Sequence, residues 1–198
     1  IEQGLSSPTD EAREATVVAR AFTGGWSLEV ASEFRNRDGR LVESARRHIT
    51  GKVHLDAANA PALAECGQPP FPLNKMVYPD DAAMYHGPAL RKLETLLFQH
   101  DGGWGRLTAP PLAELAAPRD AADWIVPSAL LDGCFVACAI YSWMMCGQRI
   151  EIPSSFEEID LYRAPRAGEP TMVRFFIRSQ DERYTSYDFV LAGDDGTP

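Results

Sequence analysis

One carboxylate, Asp132, lies inside an apolar stretch of the sequence, where a carboxyl group could take part in proton transfer. The stretch is residues 126–147, VPSALLDGCFVACAIYSWMMCG, and it carries no other charge. A carboxyl group that is removed from water is harder to ionise, so it can keep a proton near neutral pH and donate it. An Asp near a helix start can instead be a stabilising group, since the helix dipole favours its ionised form. The sequence leaves both roles open.

The apolar stretch is predicted to be one helix of about five turns. Pro127 and Ser128 supply an N-terminal Pro and a hydroxyl cap, and Gly147 stands where a C-terminal Gly cap belongs. The helix is apolar on all sides, so either protein surrounds it or it spans a membrane. Asp132 would be costly in lipid, and no Lys/Arg cluster flanks the stretch. We therefore predict a buried helix and no membrane span.

Strand-like runs flank this helix on both sides. Glycine-containing turns, Gly24-Gly25, Asp38-Gly39 and Gly102-Gly103, separate several of them and predict hairpins. One long helix among antiparallel strands indicates an α+β fold. The predicted strands are 16–23, 26–36, 40–55, 91–99, 104–109, 149–152, 158–163, 172–178 and 185–192.

The start of the apolar stretch resembles a motif of dehydratase domains in polyketide synthases and related fatty-acid synthases. PSALLDGC is similar to their HPALLDA-type motif over residues 129–132. It differs before that range, where Pro127 and Ser128 replace His and Pro, and at Val136, where the family often has Gln or His. The resemblance implies that Asp132 is the general acid.

A second stretch, YHGPAL at residues 85–90, resembles the YGPAF-type motif that lines the substrate tunnel of the same family. His86 stands in the place of the Tyr and Leu90 in that of the Phe. His48 belongs to a His-x-x-Gly stretch that resembles a late strand in the first of the family's two hotdog units. His48 is predicted to be structural. The resemblance implies that these residues contact the substrate: Tyr85, His86, Gly87, Pro88, Leu131 and Val136.

The implied fold is a hotdog, a long central helix wrapped by an antiparallel sheet, and the chain would be the C-terminal part of a double hotdog. Residues 1–56 would be the last strands of the first hotdog. Residues 57–70 fall in a stretch rich in Ala and Pro and would be a linker. Residues 71–198 would be the second hotdog, without its last strand.

The implied reaction removes water from β-hydroxyacyl thioesters to give α,β-unsaturated thioesters. The family takes its base from an HxxxGxxxxP motif, and none of the four histidines here has Gly four positions later. We therefore expect the base outside this chain, and no activity of the chain alone. Two alternatives stay open. One is another double hotdog, such as a product-template cyclase or a double-bond isomerase, and the other is a non-catalytic scaffold for acyl binding or dimerisation.

Composition limits the partners. The net charge of -9 argues against nucleic acid, because phosphate binding needs basic patches, and it suits a cytoplasmic protein. The four cysteines form no CxxC pair and predict neither a metal site nor a disulfide. The resemblance implies no cofactor, since the substrate would be carried on the phosphopantetheine of an acyl carrier protein. It also implies contact with the rest of a synthase polypeptide and leaves a homodimer open.

Overall fold

The structure is a computed structural model that describes residues 14–55, 67–75, 78, 86–111, 114–115, 126–147, 152–194 and 196. The chain divides into two compact units. One comprises Ile1–Ala58 with Ser154–Glu158, and the other comprises Asn59–Pro153 with Ile159–Pro198. The predicted linker lies largely outside the described residues, as does the predicted strand at 149–152.

The first unit contains a three-stranded antiparallel meander. Its strands are β1 (Ala15–Phe22), β2 (Gly25–Arg35) and β3 (Leu41–His54), in that order across the sheet. Gly24 and Gly39 stand in the two turns with φ of 85° and 79°, a backbone conformation that costs glycine little. The turns therefore form where the Gly-containing pairs predicted them.

The second unit contains a five-stranded antiparallel sheet in which neighbouring strands follow chain order. Pairing runs from β4 through to β8. The connection between β6 and β7 holds the only described α-helix and returns the chain to the neighbouring strand. The strands are β4 (Asn74–Lys75), β5 (Leu93–Gln99), β6 (Gly102–Thr108), β7 (Pro170–Gln180) and β8 (Thr185–Gly193).

The α-helix, α1, spans Ser128–Met145 and packs against strands β5 to β8. Buried residues occur on every side of it from Ala129 to Ser142, as expected for a helix that is apolar all round. It is long and apolar enough to cross a membrane, but 61% of it is buried inside the protein. Such burial is typical of a helix in the core of a protein.

The ends of α1 agree only in part with the sequence prediction. Gly147 has φ of 93°, the left-handed conformation expected of a glycine after a helix. The predicted hydroxyl cap is wrong: the N-cap is Pro127, no side chain caps it, and its carbonyl accepts the N–H groups of Leu130 and Leu131. Ser128 is the first residue of the helix, one position after the N-cap, so its hydroxyl does not stand at the capping position.

The core of the second unit lies between α1 and the sheet. Tyr141 anchors it, since its ring meets Phe98 and Phe175 edge to face and its hydroxyl donates to the His100 carbonyl at 2.6 Å. Ser142 and Tyr187 form a second polar link from helix to sheet. The remaining members are mainly aliphatic side chains and cysteines: Leu93, Leu96, Leu107, Ala109, Leu130, Cys134, Val136, Ala137, Cys138 and Val173.

One predicted strand does not form. The segment 158–163 is irregular, and its apolar residues Ile159 and Leu161 are exposed. No neighbouring strand pairs with it in the described part of the chain. A strand needs a neighbouring strand as partner for its backbone N–H and C=O groups, and a short strand-like run of sequence does not supply one.

Candidate functional site

The candidate site is built around Asp132, one turn into α1. The residues on either side of it, Leu131 and Gly133, are buried. The Asp132 side chain is 30% exposed, yet its Oδ2 atom is shielded from solvent and accepts no hydrogen bond. Oδ1 is therefore the carboxyl oxygen that can contact a bound molecule.

Among the described residues, His86 forms an ion-pair contact with this carboxyl group. Its Nε2 atom lies 3.3 Å from Asp132 Oδ2, close enough for an ion pair but not aligned as a hydrogen bond. The ring is only 14% exposed. The Arg91 Nε–H donates to the His86 carbonyl at 2.8 Å, and the 3₁₀ turn Pro88–Leu90 that follows packs against α1. These contacts hold the histidine segment beside the helix start.

Tyr78 completes the described surroundings of the pair. Its hydroxyl accepts the Leu93 N–H at 3.1 Å, and its ring centroid lies 6.3 Å from that of His86. Burial raises the pKa of Tyr78, and the negative charge of Asp132 adds to that rise. Tyr78 therefore stays a neutral phenol on one side of the site.

Burial also raises the pKa of Asp132, while a positive charge on His86 lowers it. Burial is the larger of the two effects. Removing a carboxylate from water penalises its charged form, and the nearby imidazolium compensates for only part of that penalty. The site therefore favours a protonated carboxyl group more than water does, which is the state that a general acid needs.

The structure places the other predicted site residues at different depths. Gly87 precedes the 3₁₀ turn, which Pro88 begins, next to His86. Leu131 is buried, and Val136 belongs to the hydrophobic core one turn after Asp132. Tyr85 lies outside the described residues.

Three further groups from the sequence analysis have structural surroundings. His48 is buried in the first unit, with Nε2 2.8 Å from the Ser32 hydroxyl. Cys134 and Cys138 are buried and form no disulfide, and burial raises the pKa of Cys134 well above its ordinary value. Within the described ranges, no three His, Cys, Asp or Glu side chains are grouped as a metal site would require.

The chain is similar in structure to a solved structure, the bifunctional dehydratase-cyclase domain in ambruticin biosynthesis. The two superpose with a TM-score of 0.53 over 93% of this chain, at 18% sequence identity. The chain has a hotdog fold. This confirms the fold expected from the two motifs, with α1 as the central helix and β4 to β8 as the sheet.

This hotdog chain spans 63% of the length of the dehydratase-cyclase domain. The dehydratase domain of RzxB from Pseudomonas fluorescens is a more distant match, with 15% identity, a TM-score of 0.44, and coverage of 92% of this chain and 62% of that one. No protein-family model matches the sequence, and no curated protein is similar to it.

Sequence reasoning missed two contacts of the hotdog site. Tyr78 gave no signal, because it belongs to no motif and its role depends on contacts with Leu93 and His86. The pairing of His86 with Asp132 was also missed, although both residues had been singled out. The two motifs gave each residue separately, and only the fold brings them together.

Proposed function

We propose that this chain is part of a polyketide-synthase dehydratase that removes water from β-hydroxyacyl thioesters bound to a carrier protein. Asp132 would be the general acid. The observation that carries the proposal is a partly buried carboxyl group, one turn into the central helix of a hotdog, with a raised pKa and one oxygen free to meet a substrate.

Dehydration needs two proton transfers at neighbouring carbons. A base removes the proton beside the thioester carbonyl, and those electrons form the new double bond. The C–O bond at the next carbon breaks as an acid protonates the departing hydroxyl, which leaves as water. Asp132 in its protonated form can supply that proton from Oδ1, and the proton transfers themselves require no redox step.

The base and the partners complete the proposal. The family motif for the base is absent from all four histidines, so we place the base in the remainder of the synthase polypeptide. The substrate would arrive on the phosphopantetheine of an acyl carrier protein in the cytoplasm. An acyl chain is apolar, and the buried Leu131 beside Asp132 offers an apolar surface of the right kind.

The test is Asp132→Asn in the intact synthase polypeptide, assayed for dehydration of a 3-hydroxybutyryl thioester. Asn keeps the size of Asp but cannot donate a carboxyl proton, so turnover should fall by about 10² to 10⁴. The free energy of unfolding should change by less than about 1 kcal/mol. Asp160→Asn, at an exposed position of the same unit, is the matched control and should leave both quantities unchanged.

Two results would reject the proposal. Near wild-type turnover of Asp132→Asn would remove Asp132 from the mechanism and favour the non-catalytic scaffold. A large loss of stability with a proportionate loss of activity would instead make Asp132 a structural residue.

A further inference from the structure

His86 and Asp132 meet through one particular pair of atoms, and this restricts where an acid proton can reside. Oδ2 is enclosed and faces Nε2 of His86 at 3.3 Å. The exposed part of the Asp132 side chain therefore lies away from Oδ2 and leaves Oδ1 as the polar atom available to a ligand. The two carboxyl oxygens thus have different environments.

The tautomer of His86 decides which oxygen can hold the proton. If Nε2 carries hydrogen, the positive end of the N–H bond lies beside Oδ2 at 3.3 Å and repels a proton there, so the carboxyl proton is best placed on Oδ1. If Nε2 lacks hydrogen, it is an acceptor, and the carboxyl proton is attracted to Oδ2, where no substrate reaches it. Only the first arrangement presents an acid proton to a bound molecule.

We propose that His86 is a positioning residue for Asp132, whose Nε2–H faces Oδ2 and directs the transferable proton to Oδ1. The inference rests on the proposed function, since it assigns a role within the same proton transfer. His86 itself would neither touch nor protonate the substrate. Val136, one helical turn after Asp132, is apolar and cannot supply an N–H group from its side chain, whereas His86 lies beside Asp132 from a different segment of the chain.

The surroundings of the pair are compatible with this role. The described ionisable groups near it are Arg91, which holds the His86 carbonyl, and Tyr78 and Cys134. The pKa values of Tyr78 and Cys134 are both raised, in part by the charge of Asp132, so both remain neutral while the carboxyl titrates.

The first experiment observes the pair without substrate, by NMR of the full 198-residue chain. Long-range ¹H–¹⁵N correlations should show that the neutral His86 ring is the Nε2–H tautomer. The ¹³Cγ titration midpoint of Asp132 should rise by about one pH unit or more in His86→Leu, because a cation and a donor are both lost. His100→Leu, at an exposed turn of the same unit, is the control and should leave that midpoint unchanged.

The second experiment measures dehydration by the intact polypeptide. His86→Leu should lower kcat by about 10- to 100-fold with little change in KM, because the proton is misplaced while the acyl site remains. His86→Gln keeps an N–H donor near the same place and should retain kcat within about fivefold of wild type. A merely structural histidine would not give this split between the Leu and Gln variants.

The outcomes separate this inference from the proposed function. An Nδ1–H tautomer, or an Asp132 midpoint that does not move in His86→Leu, would overturn the role of His86. The tautomer is measured in the wild-type chain and so does not depend on the folding of a variant. Equal losses of kcat in the Leu and Gln variants would overturn it as well.

If Asp132→Asn is slow while His86→Leu is fast, the proposed function stands and the inference fails. If Asp132→Asn is as fast as wild type, the proposed function itself fails, whatever the NMR shows.

Discussion

Gly133, the residue after Asp132, sets how closely α1 approaches β6. A Cβ atom placed on it would lie 2.2 Å from Cδ2 of Leu107, whereas ordinary contacts begin at 3.4 Å. Leu107 is fully buried between helix and sheet, so it has little room to turn away. In Gly133→Ala, the helix start or the leucine must therefore move by at least about 1.2 Å.

Two effects of Gly133→Ala oppose each other. Overpacking of a buried site costs about 1–3 kcal/mol. Replacing Gly by Ala inside a helix stabilises it by about 1 kcal/mol. The net change should be a loss of about 1 kcal/mol. In Leu107→Ala, which alone should lose about 2–5 kcal/mol, the clashing methyl group is gone. In the Leu107→Ala variant, Gly133→Ala should therefore stabilise the protein by about 1 kcal/mol.

The assay is a double-mutant cycle in urea, with the four proteins unfolded under the same conditions. The predicted reversal of sign corresponds to a coupling energy of about 1–3 kcal/mol between positions 133 and 107. Gly87→Ala is the matched control in the same unit, since a Cβ there meets nothing within 4 Å. Gly87→Ala should change the free energy of unfolding by the same amount whether residue 107 is Leu or Ala.

The result that would refute this reasoning is additivity of Gly133→Ala and Leu107→Ala. Zero coupling would mean that α1 does not approach β6 closely at Gly133. The position of the neighbouring Asp132 relative to the sheet would then be wrong too. A coupling energy in the predicted range would support the placement of the carboxyl group by a measurement that is independent of catalysis.

Three further predictions concern the catalytic base, the pKa of Asp132 and the hydrogen bond of Tyr141. The 198-residue chain alone should not hydrate a crotonyl thioester, because the base is expected elsewhere; hydration that Asp132→Asn abolishes would make His86 the first candidate for that base. Because the pKa of Asp132 is raised in the folded state, wild type should lose stability relative to Asp132→Asn as pH rises above the ordinary value of 3.8 and then level off, and parallel thermal midpoints would contradict the shift. Tyr141→Phe should cost about 1 kcal/mol in urea unfolding, through loss of the hydrogen bond to the His100 carbonyl, and no change would show that this bond contributes nothing.

Features set by neighbouring residues could be predicted from the sequence. The turns at Gly24 and Gly39 were found because glycine tolerates a left-handed backbone that most residues avoid. The extent of α1 was found because its apolar run ends at Gly147. The strand predicted at 158–163 does not form because no neighbouring strand pairs with it in the described part of the chain. The Ser128 cap does not form because Pro127 is the N-cap, which places Ser128 one position inside the helix. Local sequence shows neither whether a pairing strand is present nor which residue begins a helix.

The candidate site shows the same boundary between local and distant information. An isolated carboxylate in an apolar helix is visible in the sequence, because its burial follows from the residues around Asp132. Its contact with His86 depends on how the segment before β5 crosses the start of α1, which strand pairing and helix packing determine together. Asp132 was thus predictable as a candidate acid, whereas its contact with His86 was not. The chemistry of this hotdog is therefore best tested at the pair, since His86→Leu and His86→Gln differ in a donor whose position only the fold defines.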